Sequence, residues 1–313
     1  MRIRIVLLVA AVAGCFSLCA AGQHRVLLQG EDRLLVVEKD GSISWEMKWG
    51  GIHDIHRLEN GHILVQDTMQ KVSEIDPETR QVVWTYDAGH GNGNDGKKVE
   101  VHAFQPLPGD RLMIAESGPG RIIEIDRMGK VLKAVKLVLD APDAHRDTRL
   151  ARKLGNGHYL VCHEGDGKVR EYDEAGAVVW DFAAPLFGKT PKPGHGPEAF
   201  GNAVFSAVRL ENGNTLIGAG NGHALLEVSP DRQIVWELHQ NDLPGITLAW
   251  VTTVEVLPNG NIVFGNCHAG PGQPLLIEIA PRSKQAIWQL DRHADFGNNV
   301  SNSVLLDAGA TLR

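Results

Sequence analysis

A leucine followed two or three residues later by a tight glycine turn, and then by a fresh apolar run, recurs six times along this chain. The leucines are Leu58, Leu107, Leu154, Leu210, Leu257 and Leu306, spaced 49, 47, 56, 47 and 49 residues apart. Four of the turns are Asn-Gly: Asn60-Gly61, Asn156-Gly157, Asn212-Gly213 and Asn259-Gly260. Pro108-Gly109-Asp110 and Asp307-Ala308-Gly309 are variants of the same turn. Asn-Gly predicts a two-residue type I′ hairpin, in which both central residues need positive φ. A fixed period of this length, made only of strand and turn signals, points to radially repeated sheets.

Each repeat has an internal order. An apolar strand follows the turn, as in Ile63-Leu64-Val65 or Tyr159-Leu160-Val161. A second strand ends in Glu-apolar-Asp or a relative of it: Glu74-Ile75-Asp76, Glu124-Ile125-Asp126, Glu171-Tyr172-Asp173, Glu227-Val228-Ser229 and Glu278-Ile279-Ala280. A last strand carries Trp84, Trp180, Trp236 or Trp288; Trp45 stands there in the first unit and Lys133 in the third. A large aromatic late in the unit suits an outer strand that fills the widening wedge between neighbouring sheets. The fold class is therefore all-β, a six-bladed β-propeller of four-stranded blades.

The chain opens in mid-unit, at Val26-Leu27-Leu28, without an innermost strand, and Val300–Leu306 supplies one at the other end. Pairing the two ends completes a composite blade and removes the open sheet edge. The predicted blades are 24–48 with 299–313, then 51–87, 100–137, 145–183, 202–239 and 248–290.

Residues 1–22 read as a secretory leader, and 23–313 as the propeller domain. Arg2 and Arg4 precede the apolar run Ile5–Ala13, and small residues follow. Ile5–Ala21 is short for a membrane span, which needs ~20 apolar residues. Val12-Ala13-Gly14-Cys15 resembles a lipobox, which would place a lipid anchor at Cys15; Cys19-Ala20-Ala21 resembles an ordinary cleavage site, releasing a soluble product from about Gly22. Both place the domain outside a bacterial cytoplasm: periplasmic, cell-surface or secreted. The net charge of −7, more negative once Arg2 and Arg4 leave, is no nucleic-acid footprint. Cys162 and Cys267 remain, a whole blade apart, too far for the Cα separation below ~7 Å that a disulfide needs. Neither Cys-x-x-Cys nor His-Glu-x-x-His occurs, so no metal site is expected.

Propellers bind ligands where the loops joining blades gather. His90, His145, His195, His239 and His293 lie in or beside those connections, His163 and His268 in loops within blades, and His53 and His102 at inner strands. These are nine of the fourteen histidines, and the loops 89–96, 189–201 and 266–272 are rich in glycine and proline. Registering the inner strands on the repeat leucine places His53, His102, Arg149, Phe205, Thr252 and Ser301 five residues before it. Six before stand Ile52, Val101, Thr148, Val204, Val251 and Val300, a packing ring. Because side chains alternate along a strand, His53 and His56 face opposite ways and do not chelate together. His53, His102 and Arg149, from three consecutive blades, converge at one side of the channel mouth, with Asp54, Arg146 and Trp250 as neighbours.

The segment Glu-Ile-Asp-Pro-Glu-Thr-Arg-Gln-Val-Val-Trp (74–84) resembles the repeat of pyrroloquinoline-quinone-type propellers. With His53-Asp54 and Leu257-Pro258-Asn259-Gly260-Asn261, the chain is similar to the six-bladed propeller domain of bacterial arylsulfotransferases. That resemblance implies a channel histidine that accepts a sulfuryl group and further histidines and an arginine on its oxygens; His53, His102 and Arg149 stand in comparable places, and no third histidine is in register.

The expected function is that of an exported propeller whose histidine-rich top face binds a small molecule or a protein, with His145, Arg146, Asp54, His90, His195, Trp250 and His268 as binding residues. Sulfuryl transfer through a channel histidine is the first alternative. A quinone-dependent dehydrogenase is the second, with pyrroloquinoline quinone or calcium as its cofactors; no vicinal cysteine pair and no clear Asp/Glu/Asn cluster supports it.

Overall fold

In the computed structural model, residues 24–51, 53–309 and 313 are described. The leader expectation, the Cys15 anchor and Ile52 fall outside them. The described residues form six antiparallel four-stranded sheets and one short helix, His293–Phe296. Among them no helix is long and apolar enough to cross a membrane.

Blade 1 is composite, as the chain ends require. Asn302–Leu305 is its innermost strand, followed outward by Val26–Gly30, Arg33–Val37 and Ile43–Lys48. Val26 pairs with Leu305, and Gln29 with Asn302, in an antiparallel register that closes the ring. The innermost strands of blades 2 to 6 are Ile55–Arg57, Glu100–Leu107, Ala151–Lys153, Ser206–Arg209 and Trp250–Val256.

The repeat hairpin differs from the type I′ turn expected of Asn-Gly. Leu58 N–H donates to the His62 carbonyl and Gly61 N–H to that of Leu58, which makes Glu59-Asn60-Gly61 a three-residue loop. Only the glycine takes positive φ, 87° at Gly61 and 89° at Gly157. The asparagine instead uses its side chain: Asn60 Oδ1 accepts from His62 N–H at 3.0 Å, and Asn156 Oδ1 from His158 N–H at 3.0 Å. A type I turn capped in this way and closed by a left-handed glycine is the alternative hairpin that asparagine and glycine favour.

Six of the apolar cores lie between blades. One packs Leu27, Leu34 and Val36 on Ile55, Ile63 and Ile75, blade 1 on blade 2. The last packs Val263, Leu276 and Trp288 on Leu28, Leu35 and Leu305, so blade 6 meets the composite blade as any neighbour would. Trp45, Trp84, Trp180 and Trp236 each add a hydrogen bond across a wedge. Trp45 Nε1–H donates to the Pro77 carbonyl at 2.8 Å, Trp84 to that of Arg127 at 2.7 Å, and Trp180 to that of Pro230 at 3.1 Å, each on the next blade. In blade 3, Lys133 replaces the indole with an ion pair to Glu174 at 2.5 Å. The repeated glutamate is a second inter-blade tie. Glu74 takes His62 Nδ1 at 2.6 Å from its own hairpin and Arg127 from blade 3; Glu171 takes His158 and Arg209 likewise.

Candidate functional site

The residues five before each repeat leucine sit where the regular inner-strand ladder breaks off. In blade 3 the pairing jumps from Val101 to Ala103, and in blade 6 from Val251 to Val254, leaving His102 and Thr252 without opposite residues. Such bulges re-aim side chains beside functional sites. In blades 2, 4, 5 and 1, His53, Arg149, Phe205 and Ser301 lie just before the first paired residue. The ring one residue earlier is packing, as expected: Val101, Thr148, Val204, Val251 and Val300 are fully buried.

Five of the six ring residues line one cavity of about 200 Å³ at the channel mouth: His53, Arg149, Phe205, Thr252 and Ser301. His145, His195, Trp250, His268, Glu164 and Cys267 join them from the loops and strand ends. One wall is apolar, built on Leu150, Ala203, Phe205, Trp250 and Cys267. His195 covers it, its ring centroid 4.7 Å from Trp250 and 5.0 Å from His268. The other wall is polar. Arg149 Nε pairs with Glu164 Oε2 at 2.5 Å, and Arg146 Nε donates to Glu164 Oε1 at 3.0 Å.

Three buried polar atoms on this lining have neither a hydrogen-bond nor an ion-pair partner: His53 Nδ1, Thr252 Oγ1 and Ser301 Oγ. The three residues are 7 %, 1 % and 6 % exposed, and come from the adjoining blades 2, 6 and 1. A buried unpartnered group costs roughly 1–3 kcal/mol, so three residues carrying such groups around one cavity call for a physical account. Burial, with His102, Arg149 and His145 close by, pushes the His53 imidazole well below its ordinary range, so it is neutral at neutral pH. Burial and His195 bring His268 down to about 4, and burial pushes the Cys267 thiol up to about 12.

His102 stands directly behind His53, ring centroids 4.4 Å apart, but does not line the cavity. Its Nε2 faces Glu100 Oε2 at 3.0 Å, and its Nδ1 lies 2.8 Å from both the Arg149 guanidinium and the Thr148 carbonyl. With the proton on Nε2, His102 donates to Glu100 and accepts from Arg149; with it on Nδ1, His102 donates to Thr148 and turns the Nε2 lone pair toward Glu100, so in both tautomers the ring nitrogens point away from the cavity. Asp54 lies deeper in the channel. Its carboxylate takes Arg152 in a forked pair at 2.6 and 2.9 Å, Asn302 Nδ2 at 3.0 Å and Phe104 N–H at 3.1 Å. His56 sits below, on Asp54 and the Phe104 carbonyl, away from His53. Arg146 reaches the rim only through Glu164. His90, 77 % exposed, lies in a groove with Trp84 and Arg127 near the outer edge of the blades.

Glu100 and Glu164 are the site residues that sequence reasoning missed. Neither stands in the ring five residues before the repeat leucine: Glu100 opens the inner strand of blade 3 and Glu164 lies in a loop of blade 4. Cys162 and Cys267 are both buried free thiols in separate clusters, as their spacing required. The donor set does not fit calcium, which takes six to eight oxygens. The carboxylate lining the cavity, Glu164, has both oxygens taken by arginine and offers no free donor to a calcium-held quinone.

Among solved structures, a protein of unknown function from Bacteroides caccae is similar to this chain over 93 % of its length and 99 % of its own, with a TM-score of 0.71 and 21 % identity. A streptogramin B lyase aligns over 87 % of this chain and 84 % of its own, with a TM-score of 0.56 and 10 % identity. Virginiamycin B lyase from Staphylococcus aureus aligns over 84 % and 83 %, with a TM-score of 0.52 and 11 % identity. Identities this low speak for the shared propeller fold alone. No curated protein matches the chain in sequence. The family profile described as outer membrane protein assembly factor BamB, a set of propeller repeats of the pyrroloquinoline-quinone type, matches residues 21–293. The repeat grammar, the six closed blades and that match together establish that the chain belongs to this family.

Proposed function

We propose that this protein is an exported propeller whose channel mouth binds a small molecule with a flat apolar portion and an oxygen-rich head. The observation that carries this reading is that His53, Thr252 and Ser301, each with a buried unpartnered side-chain atom, line one cavity together with the apolar Phe205 and Trp250. Ligand sites combine an apolar lining with a few convergent polar groups in this way. A protein partner would sit on the loops above and would not need to satisfy atoms this deep. Export rests on the leader at 1–22 ahead of the 23–313 domain, with Cys15 as the site of a lipid anchor or Gly22 as the start of a soluble product. The family's description as an outer-membrane assembly factor supports an envelope location.

Calorimetry with 4-nitrophenyl sulfate, a planar ring bearing an anionic head, tests the reading. One site per chain is expected, weakened about ten-fold by Thr252→Val, which removes a hydroxyl at nearly constant volume, and more by Trp250→Ala. No binding, or binding indifferent to both substitutions, contradicts it.

A second reading has its own observation: His53 is a neutral imidazole with an unpartnered nitrogen beside Arg149. A neutral imidazole is a competent nucleophile. Attack on the sulfur of an aryl sulfate would break the ester S–O bond and release the phenolate, and Arg149 would offset charge on the sulfuryl oxygens. His102 would position His53 rather than react. A sulfuryl mass gain on the wild-type chain that is absent in His53→Ala supports this; probe binding without it leaves the channel mouth a binding site.

A further inference from the structure

We propose that Glu100, His102 and His145 form a binding site for a transition-metal ion of the zinc class, at the wall of the channel-mouth cavity. Glu100 and His102 come from the inner strand of blade 3, and His145 from the connection that enters blade 4. Their ligand atoms all lie within 4.8 Å of one another. His145 Nδ1 is 2.6 Å and His102 Nε2 3.0 Å from the same oxygen, Glu100 Oε2. Two imidazole nitrogens thus converge on one carboxylate oxygen, which gathers three metal-ligating atoms at one point. Two histidines and one carboxylate are a zinc ligand set that keeps open positions for water or substrate. Zinc takes imidazole nitrogen and carboxylate oxygen at about 2.0–2.2 Å, so around a tetrahedral ion both contacts would open to about 3.3 Å.

A second, independent observation points the same way. Metal-bound histidines almost always donate their other ring N–H to a carbonyl or carboxylate, which fixes the tautomer. The Thr148 carbonyl stands 2.8 Å from His102 Nδ1, so that a proton held there leaves the Nε2 lone pair free for the metal. The ligands also have a graded exposure that provides entry. Glu100 and His102 are buried, and the His145 side chain is 50 % exposed and reaches the cavity lining.

Two cations oppose a third. Lys98 Nζ lies 3.1 Å from Glu100 Oε1, and Arg149 touches His102 Nδ1 while paired with Glu164. Arg149 keeps Glu164 and the His145 carbonyl as partners when His102 turns its proton to Thr148. Lys98, 67 % exposed, acts as a brake on affinity. The site does not depend on the small-molecule reading, since it uses a different set of atoms.

The test is a zinc titration of chelator-stripped full-length protein against a chromophoric competitor, with cobalt as a spectroscopic probe. One site per chain is expected, with cobalt giving the visible bands of a nitrogen- and oxygen-bound ion. His145→Ala should weaken zinc at least ten-fold, and Glu100→Gln by more. Lys98→Gln should strengthen it, which a merely structural cluster would not do. His62→Ala, at a hairpin elsewhere, should change nothing. His145 is half exposed, so its variant is informative even if Glu100→Gln does not fold. Absence of a tight site, or zinc binding unchanged in both His145→Ala and Lys98→Gln, overturns the proposal.

Discussion

Asp54 and His53 are neighbours in sequence with opposite employment. Alternation along the strand turns one down into the channel and the other up to its mouth. The Asp54 carboxylate is fully buried, and the charges of Arg152 and His56 outweigh that burial and hold it well below the usual carboxylate range. It joins blades 2, 3, 4 and 1 through Phe104, Arg152 and Asn302. Asp54→Ala leaves the Arg152 guanidinium buried and unpaired, and should cost about 3–5 kcal/mol in chemical denaturation. A loss below about 1 kcal/mol would show that the strut carries no weight. The repeat leucine fixes a common height, and five of the six side chains at that height meet in one cavity. The sequence could not show which carboxylates turn inward: Glu100 and Glu164 lie outside the ring at that height. Nor could it show which groups face the two nitrogens of His102, because Thr148, Arg149 and Glu100 converge on it only in three dimensions.

At the scale of the strand, the repeat grammar has a physical reading. The glutamate of Glu-apolar-Asp ties its own hairpin to the next blade, and the tryptophan of the outermost strand caps the wedge and donates to a carbonyl across it. Trp180→Phe keeps most of the buried ring and loses the bond to the Pro230 carbonyl, so it should destabilise by about 1 kcal/mol. Trp180→Ala should cost about 3 kcal/mol or more, because it also opens a cavity between blades 4 and 5. Equal losses from the two variants would mean that the hydrogen bond, and not the packing, dominates. Strand positions and blade limits were legible because period and turn chemistry agree. The turn type was not, because Asn-Gly serves both a type I′ turn and a type I turn closed by a left-handed glycine. The choice is set by the three-residue loop that joins the first two strands of a blade.

For the whole molecule, stability and site depend on the same closure. Each core is shared by two blades, so an open ring leaves two faces without partners, and the pairing of Asn302–Leu305 with Val26–Gly30 seals the last. Removing residues 299–313 should abolish cooperative unfolding rather than trim one blade, as seen by calorimetry; a truncated chain that still melts sharply would contradict closure as the source of stability. The same segment carries Ser301 and Asn299 into the cavity lining, so the closing strand also completes the cavity. The central proposal is that the channel mouth binds a small ligand, and its most direct test is a crystal structure of the protein soaked with 4-nitrophenyl sulfate. The aryl ring is expected on Phe205 and Trp250, and head-group oxygens within hydrogen-bond distance of Thr252 Oγ1 and Ser301 Oγ, with His53 Nδ1 at the same end. A saturated crystal in which ordered water satisfies those three atoms, and the probe is absent or elsewhere, would contradict it.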